Sequence, residues 1–299
     1  MRDPFVAAGV VFAAVLAAAQ PVDIAAQAVQ RGIYVSVVDR AGNPVDGLGP
    51  SDFIVREDRV AREVLRVAPA DDPMQIALLV DNSQAADLYV RDIREGLTAF
   101  INGVTADSAL KHRIAIITLA DRPTINTEYT TDRAQLLKGA QRIFAMSGSG
   151  AYLLDGIIET SEGIMRRREP RPTIVTITTE GPELSDRVYQ RVLEPLRSST
   201  AAFHAVVLGQ PVNTSHDRII VLAEGTRATG GRYDNILAGT ALPAKMKQVA
   251  AELTHQYRVT YARPQSLIQP EHITVATTRP GLTARGTPIK PNREPDRPR

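Results

Sequence analysis

Short apolar runs alternating with amphipathic stretches dominate the middle of the chain. Residues 76–80 (IALLV) are all apolar and stop abruptly at Asp81, Asn82 and Ser83. Residues 113–119 (RIAIITL), 173–178 (TIVTIT) and 203–208 (FHAVVL) repeat that texture. Runs of this length bounded by turn signals suit strands buried on both faces, as in a parallel sheet. Between them, apolar residues recur at helical spacing. Ile93, Leu97, Phe100, Ile101 and Val104 share one face of a predicted helix over 88–104. Asp132 is a predicted N-cap, with Gln135 completing a capping box, for a helix carrying Leu136, Leu137, Ile143 and Phe144. Leu153, Leu154, Ile157, Ile158 and Ile164 predict a helix over 151–168, with Arg166, Arg167 and Arg168 in its last turn, where the helix dipole favours cations. Further helices are predicted over 184–196, 218–228 and 243–255, and short strands over 124–129 and 232–236. Strands joined by helices imply right-handed βαβ units. The expected fold is α/β, Rossmann-like, with a doubly wound, mainly parallel sheet over 74–256.

The flanks read differently. Residues 33–38 (IYVSVV), 53–57 and 60–67 are β-branched runs too closely spaced for helical crossovers, so they should pair antiparallel. Residues 68–73 (APADDP) read as a linker. After 256, residues 257–261, 272–277 and 282–285 return to strand texture. The simplest architecture joins the N-terminal segment 29–70 and the C-terminal segment 257–288 in one small flanking β module. The Pro-rich, charged tail 289–299 is expected to be disordered.

The N-terminus adds a localisation. Arg2 precedes an apolar run over 6–19, and Ala26-Gln27-Ala28 supplies small residues for a signal-peptidase cut, with Ala17-Ala18-Ala19 as a second site. The run is short and Ala-rich for the ~30 Å of a bilayer core. Residues 1–28 therefore read as a cleavable secretory signal, with an uncleaved anchor as the competing reading. The mature chain is expected to be secreted or periplasmic, with no stable membrane insertion. Composition changes little else. The net charge of +2 gives no argument for nucleic acid or an anionic membrane. The absence of cysteine removes disulfides, thiolate metal sites and cysteine nucleophiles together.

Polar side chains at the carboxyl end of a central parallel strand face the crevice where open α/β sheets bind ligands, which directs attention to Asp81, Asn82 and Ser83. These residues also carry a resemblance. LLVDNSQAA at the first central strand resembles a von Willebrand factor A-type domain. Taken with VVDRAGNPVDGLGPSDFIVRED before it, and LAEGTRATGGRYDN, HQYRVTYARP and ITVATTRPGLTAR after it, the chain from about 33 to 286 resembles bacterial exported proteins in which that domain is flanked by short β segments. The resemblance implies a metal-ion-dependent adhesion site built from Asp-x-Ser-x-Ser, a later Thr and a further Asp. Hydroxyls would bind a hard cation directly, and carboxylates would hold its waters.

Only part of that set is present. Asp81 and Ser83 match, the third position is Ala85, the expected Thr is Ala151, and the last carboxylate is Glu180. The resemblance thus implies a degenerate site, with Asp81, Ser83 and Glu180 as residual metal ligands. Tight binding of Mg²⁺ or Mn²⁺ is not expected, since Mg²⁺ tolerates little departure from octahedral geometry. Asp81 and Ser83 are expected instead to bond loop N–H groups. The partner-binding surface is then expected on Asp81, Asn82, Ser83, Ala85, Ser149, Gly150, Ala151 and Glu180, within a rim formed by 81–85, 148–152 and 180–183.

Catalysis finds no support. The Ser147-Gly148-Ser149-Gly150-Ala151 loop matches neither a nucleophile elbow nor a phosphate-binding loop. The five histidines are scattered, and His204, in an apolar strand, reads as a satisfied core residue. The leading expectation is an exported, non-enzymatic protein-binding module. A cation-dependent adhesion module is the alternative, and an uncharacterised hydrolase a remote one. The partner's identity is not legible.

Overall fold

A strand buried on both faces needs apolar side chains pointing both ways, and the middle of the chain supplies them. The computed structural model describes residues 28–107, 109–168, 170–211, 215–265, 268, 270 and 272–289. The predicted signal, apart from Ala28, and the predicted tail, apart from Ile289, lie outside the described residues. The chain opens with β1 (Ala28–Val38), β2 (Phe53–Glu57), β3 (Val60–Arg62) and β4 (Val64–Pro69). The central block runs β5 (Gln75–Val80), α1 (Val90–Val104), β6 (Arg113–Thr118), β7 (Thr124–Thr130), α2 (Arg133–Gln141) and α3 (Leu153–Arg167). It continues with β8 (Pro172–Thr179), α4 (Tyr189–Ser199), β9 (Ala202–Leu208), α5 (His216–Thr229), β10 (Tyr233–Ile236) and α6 (Leu242–Thr254). β11 (Tyr257–Pro264), β12 (Ile273–Thr277) and β13 (Thr283–Pro288) follow.

The central sheet has the order β10-β9-β8-β5-β6-β7. Its strands are parallel except the edge strand β7, which runs antiparallel to β6. Alternation along β5 divides the core. Ile76, Leu78 and Val80 pack with Ile93, Leu97 and Phe100 of α1 and Met246 and Val249 of α6. Leu79 faces the other way, into a cluster with Leu153 and Ile157 of α3, Leu196 of α4 and Val221 of α5. Among the described residues no helix is long and apolar enough to cross a membrane.

The flanking strands form two antiparallel sheets, ordered β13-β1-β11-β4 and β12-β2-β3. Ile33, Val35 and Val37 of β1 pack between them with Phe53, Val55, Val259 and Tyr261. The alternate residues of β1 face the central block. There the Tyr34 hydroxyl donates to Asp72 (2.6 Å) and the Gln256 amide donates to Ser36 (2.9 Å). Both terminal segments therefore build one sandwich, docked against the α/β block.

Several sequence expectations need correction. The single strand over 60–67 is two strands in different sheets, β3 and β4. The chain crosses at Glu63, next to a register shift in β11, as strands do at the corner of a sandwich. Residues 68–73 are no loose linker: the carbonyls of Ala70 and Asp72 both accept from the buried Arg171 guanidinium (3.1 Å each). The helix expected over 184–196 starts only at Tyr189, because residues 184–188 are used in a loop. Helix α2 ends at Gln141, so Ile143 and Phe144 lie beyond it. Asp132 does cap α2, accepting from the N–H groups of Ala134 and Gln135, but its own N–H donates to Thr130 Oγ1, so Gln135 closes no capping box.

His204 is buried as expected, yet among the described residues neither ring nitrogen has a hydrogen-bond partner. Burial pushes its pKa down to about 4. His112, whose Nδ1 accepts the Met74 N–H (3.0 Å), is likewise held at about 4 by burial. Both are bases whose folded pKa lies below the unfolded value of about 6.5. The unfolded chain therefore binds protons that the folded chain refuses. The stabilisation from keeping both neutral is complete above about pH 6.5 and is lost as pH falls toward 4. Urea midpoints are expected to fall between pH 7 and 4.5, with a shallower fall in His204→Leu. A variant slope equal to that of the parent would remove His204 from the account.

Candidate functional site

Parallel strands place all their carboxyl ends on one side, and β5 sits at the middle of the sheet where the chain winds outward in both directions. Asp81 follows β5 directly and is fully buried. Its Oδ1 accepts the Ser83 N–H (2.9 Å). Its Oδ2 accepts the Thr179 N–H (2.9 Å), the Thr179 hydroxyl (2.6 Å) and the Thr178 hydroxyl (3.4 Å). Four donors match the acceptor capacity of a carboxylate. Asn82 is also buried. Its side-chain oxygen accepts the N–H groups of Leu119 and Ala120, and its amide donates to the Phe144 carbonyl. Ser83 is buried with its hydroxyl unbonded among the described residues.

Three loops meet here. The Gln84 N–H donates to the Ser149 carbonyl (3.3 Å), and the Gly148 N–H to Gln84 Oε1 (2.9 Å). Ser149 Oγ donates to the Met146 carbonyl rather than pointing at Asp81. Ala151 is not helical, because it lies in short bridges with Ala120 and Glu183, and so α3 begins two residues later than expected. Its N–H donates to the Pro182 carbonyl (2.9 Å) and its carbonyl accepts from Leu184 (2.7 Å). Gly181 must lack a side chain, since a Cβ there would stand 2.5 Å from the Ala85 Cβ. The loop after β8 also serves α3, whose N-terminus has no capping side chain of its own. Ser185 Oγ accepts the Asp155 N–H (3.1 Å), and the Glu183 carboxyl, pushed upward in pKa by burial, accepts from Ser185 (3.1 Å) and takes a backbone bond from Leu154.

Glu180 does not turn toward Asp81 as a free carboxylate. Its side chain is 6% exposed and forms an ion pair with Arg218 at 3.1 Å; the Arg218 side chain is 2% exposed. Arg218 Nη2 also donates to the Thr179 carbonyl (2.8 Å) and to the Thr178 hydroxyl (3.4 Å), the same hydroxyl that donates to Asp81. Sequence reading missed Arg218. A usable signal was there: an arginine in the first turn of a helix sits at the end where the dipole disfavours cations, so it demands an anion nearby.

All eight expected surface residues gather at this end of the sheet. Asp81, Asn82, Ser83, Gly150 and Ala151 are buried. Ala85, Ser149 and Glu180 are partly buried. Beside exposed polar residues such as Gln84, Asp87 and Ser147, four apolar side chains that were not foreseen reach solvent: Leu88 (87% exposed), Phe144 (62%), Leu184 (48%) and Leu237 (64%).

The donor set does not fit a divalent cation. Asp81 has its oxygens committed to four N–H and O–H donors, two of the three hydroxyl positions are Ala85 and Ala151, and Glu180 already bonds a guanidinium. Among the described residues, no three His, Cys, Asp or Glu side chains are grouped to hold a metal ion.

No family model matches the chain, and no curated protein matches it. Solved structures do. A von Willebrand factor type A protein from Catenulispora acidiphila superposes with a TM-score of 0.50 at 10% identity, over 86% of this chain and 71% of that one. The protein BatB from Bacteroides thetaiotaomicron is similar at 13% identity (TM-score 0.44, 60% of this chain, 98% of that one). So is the von Willebrand domain of the type V pili tip protein Mfa5 from Porphyromonas gingivalis, at 9% identity (TM-score 0.47, 60% and 95%). The α/β block has the fold of a von Willebrand factor A-type domain.

Removing the Asp81 carboxylate strands the donors it gathers from β8 and from its own turn. Asp81→Ala is expected to destabilise the fold by about 2–4 kcal/mol, read from urea unfolding. A loss under about 0.5 kcal/mol, the size of an ordinary surface substitution, would show that these bonds do not hold the loops.

Proposed function

We propose that this chain is an exported, non-enzymatic protein-binding module that docks its partner through the loop end of the central sheet without a bridging cation. The observation that carries this reading is the position of the exposed apolar side chains. Leu88 follows β5, Leu184 follows β8 and Leu237 follows β10, so all three stand at the carboxyl end of the sheet. Phe144 joins them, because its carbonyl is tied to Asn82. Single exposed apolar residues are ordinary, whereas a contiguous exposed patch marks an interaction site, and these four are proposed to form one. The loops beneath are cross-braced by backbone bonds, so the surface is preformed and loses little entropy on binding.

The rim is therefore redrawn, with Leu88, Phe144, Leu184 and Leu237 as contacts and Asp81, Asn82, Ser83 and Ala151 as supports. Phe144→Asp and Leu184→Asp are expected to weaken partner binding at least tenfold, with melting temperatures within a degree or two of the parent, and EDTA is expected to leave binding unchanged. Binding that survives both substitutions would place the contact elsewhere. A second reading, cation-dependent adhesion through Asp81, Ser83 and Glu180, has one observation in its favour, the unbonded Ser83 hydroxyl. Loss of binding on chelation would select it.

Export rests on the run 6–19 and the Ala26-Gln27-Ala28 site. The mature protein is expected to begin at Val29, read by intact mass after expression with its own N-terminus. A mass that includes residues 1–28 would leave the anchor reading in its place.

A further inference from the structure

Among the described residues, the carboxylates of Asp81, Glu180 and Glu183 are all withdrawn from solvent at the loop end of the sheet, and the buried cation Arg218 stands with them, paired with Glu180. We propose that the Arg218 guanidinium is the resident cation of this site, occupying by side chain the role that a divalent ion plays in a metal-ion-dependent adhesion site. Three independent features converge on it. The guanidinium pairs with Glu180 at 3.1 Å, the carboxylate in the position of the site's last acid. It also reaches the Asp81 half of the site through Thr178, whose hydroxyl accepts from Arg218 (3.4 Å) and donates to Asp81 (3.4 Å). And the two hydroxyl ligands that a metal would need are Ala85 and Ala151, positions that a guanidinium does not require.

Helix α5 has no use of its own for this arginine. Arg218 lies in the first turn, where its charge opposes the helix dipole, and Ser215 already caps that turn. The side chain is there for what it meets at the sheet end. Arginine suits the task because it stays protonated and fixes several donors in one plane. A metal ion can be chelated away or exchanged, whereas this cation is covalently part of the chain. If this end of the sheet is the docking face proposed above, that face is permanently assembled and responds neither to divalent ions nor to chelators.

The test puts the metal ligands back, with and without the arginine. The mature chain, stripped of metal, is titrated with Mn²⁺ by calorimetry alongside Ala85→Ser/Ala151→Thr and Ala85→Ser/Ala151→Thr/Arg218→Met. Saturable uptake of one Mn²⁺ is expected only in the triple variant, with a melting temperature that rises on adding Mn²⁺. Equal uptake by the double variant would overturn the proposal, because the guanidinium would then exclude nothing. So would a folded triple variant that takes up no Mn²⁺. Should threonine at 151 prevent folding, Ala85→Ser and Ala85→Ser/Arg218→Met give the same comparison with the same outcomes. Melting of Arg218→Met supplies a second readout: it should fall clearly below the parent and recover in Arg218→Met/Glu180→Gln. An unchanged melting temperature in Arg218→Met would show that the arginine holds no charge in place. None of these measurements involves a partner, so they succeed or fail separately from the docking reading.

Discussion

The structure depends on the carboxylate of Asp81 being satisfied where water cannot reach it. A buried ionised carboxylate without partners would cost far more than a small domain can spare. Here four donors come to it, three from the end of β8 and one from its own turn. That single group therefore holds the ends of two neighbouring strands together and sets the direction in which the chain leaves β5. Everything around it follows. Asn82 turns the other way to hold Leu119 and Ala120, and Gln84 and the Met146–Ser149 turn close over the top. Arg218 supplies a second layer that balances Glu180. Both carboxylates serve here as structural acceptors.

A second buried arginine does comparable service at the opposite end. Arg171 lies just before β8 and sends its donors to the carbonyls of Ala70, Asp72 and Leu253 and to the Gln256 side chain. Its guanidinium also stacks over the Tyr34 ring at 5.3 Å from the centroid. Burial lowers its pKa to about 10, which still leaves it charged at any physiological pH. These contacts connect β1, the segment before β5, the end of α6 and the start of β8. Nearby, the buried Glu252 on α6 accepts from Arg285 of β13 (2.6 Å) and from Arg232 (3.2 Å), and Thr287 donates to the Thr229 carbonyl (2.7 Å). Residues from both ends of the chain thus lock the sandwich to the central sheet. Among the described residues, these bonds join the β module to the α/β block at the end of the sheet opposite the loops.

The parts of the fold that were legible in the sequence are those governed by local pattern. Four apolar runs marked the central parallel strands, because burial on both faces leaves no room for alternation. Asp132 announced the start of α2 because N-cap chemistry is local. The misreadings are places where a distant partner overrode the local signal. Residues 60–67 look like one strand, yet β11 shifts register beside them and the chain changes sheets at Glu63. Residues 184–188 have helical texture, yet Leu184 pairs with Ala151 and Ser185 caps α3. Phe144 continues the apolar spacing of α2 but lies past its end and is exposed. At the site, the motif located the right end of the sheet and the missing hydroxyls. It did not show that Asp81 would be saturated, since its donors Thr178 and Thr179 lie about a hundred residues away.

The same separation lets the proposed docking face form on loops whose motif keeps only Asp81, Ser83 and Glu180. A cation in an adhesion-type site does two jobs: it neutralises clustered carboxylates, and it offers a coordination position to an acidic partner. Arg218 and the four donors on Asp81 can do the first job. They cannot do the second, because both groups are buried and present no open position. Attraction at this surface must then come from groups that do reach solvent. Those include Leu88, Phe144, Leu184 and Leu237, whose burial against a partner would contribute roughly 25 cal/mol per Å² of apolar area. A partner with an apolar face suits that chemistry, where an acidic tip suits a metal site. Alanine at positions 85 and 151 and the four exposed apolar side chains are thus both consistent with the proposed docking surface.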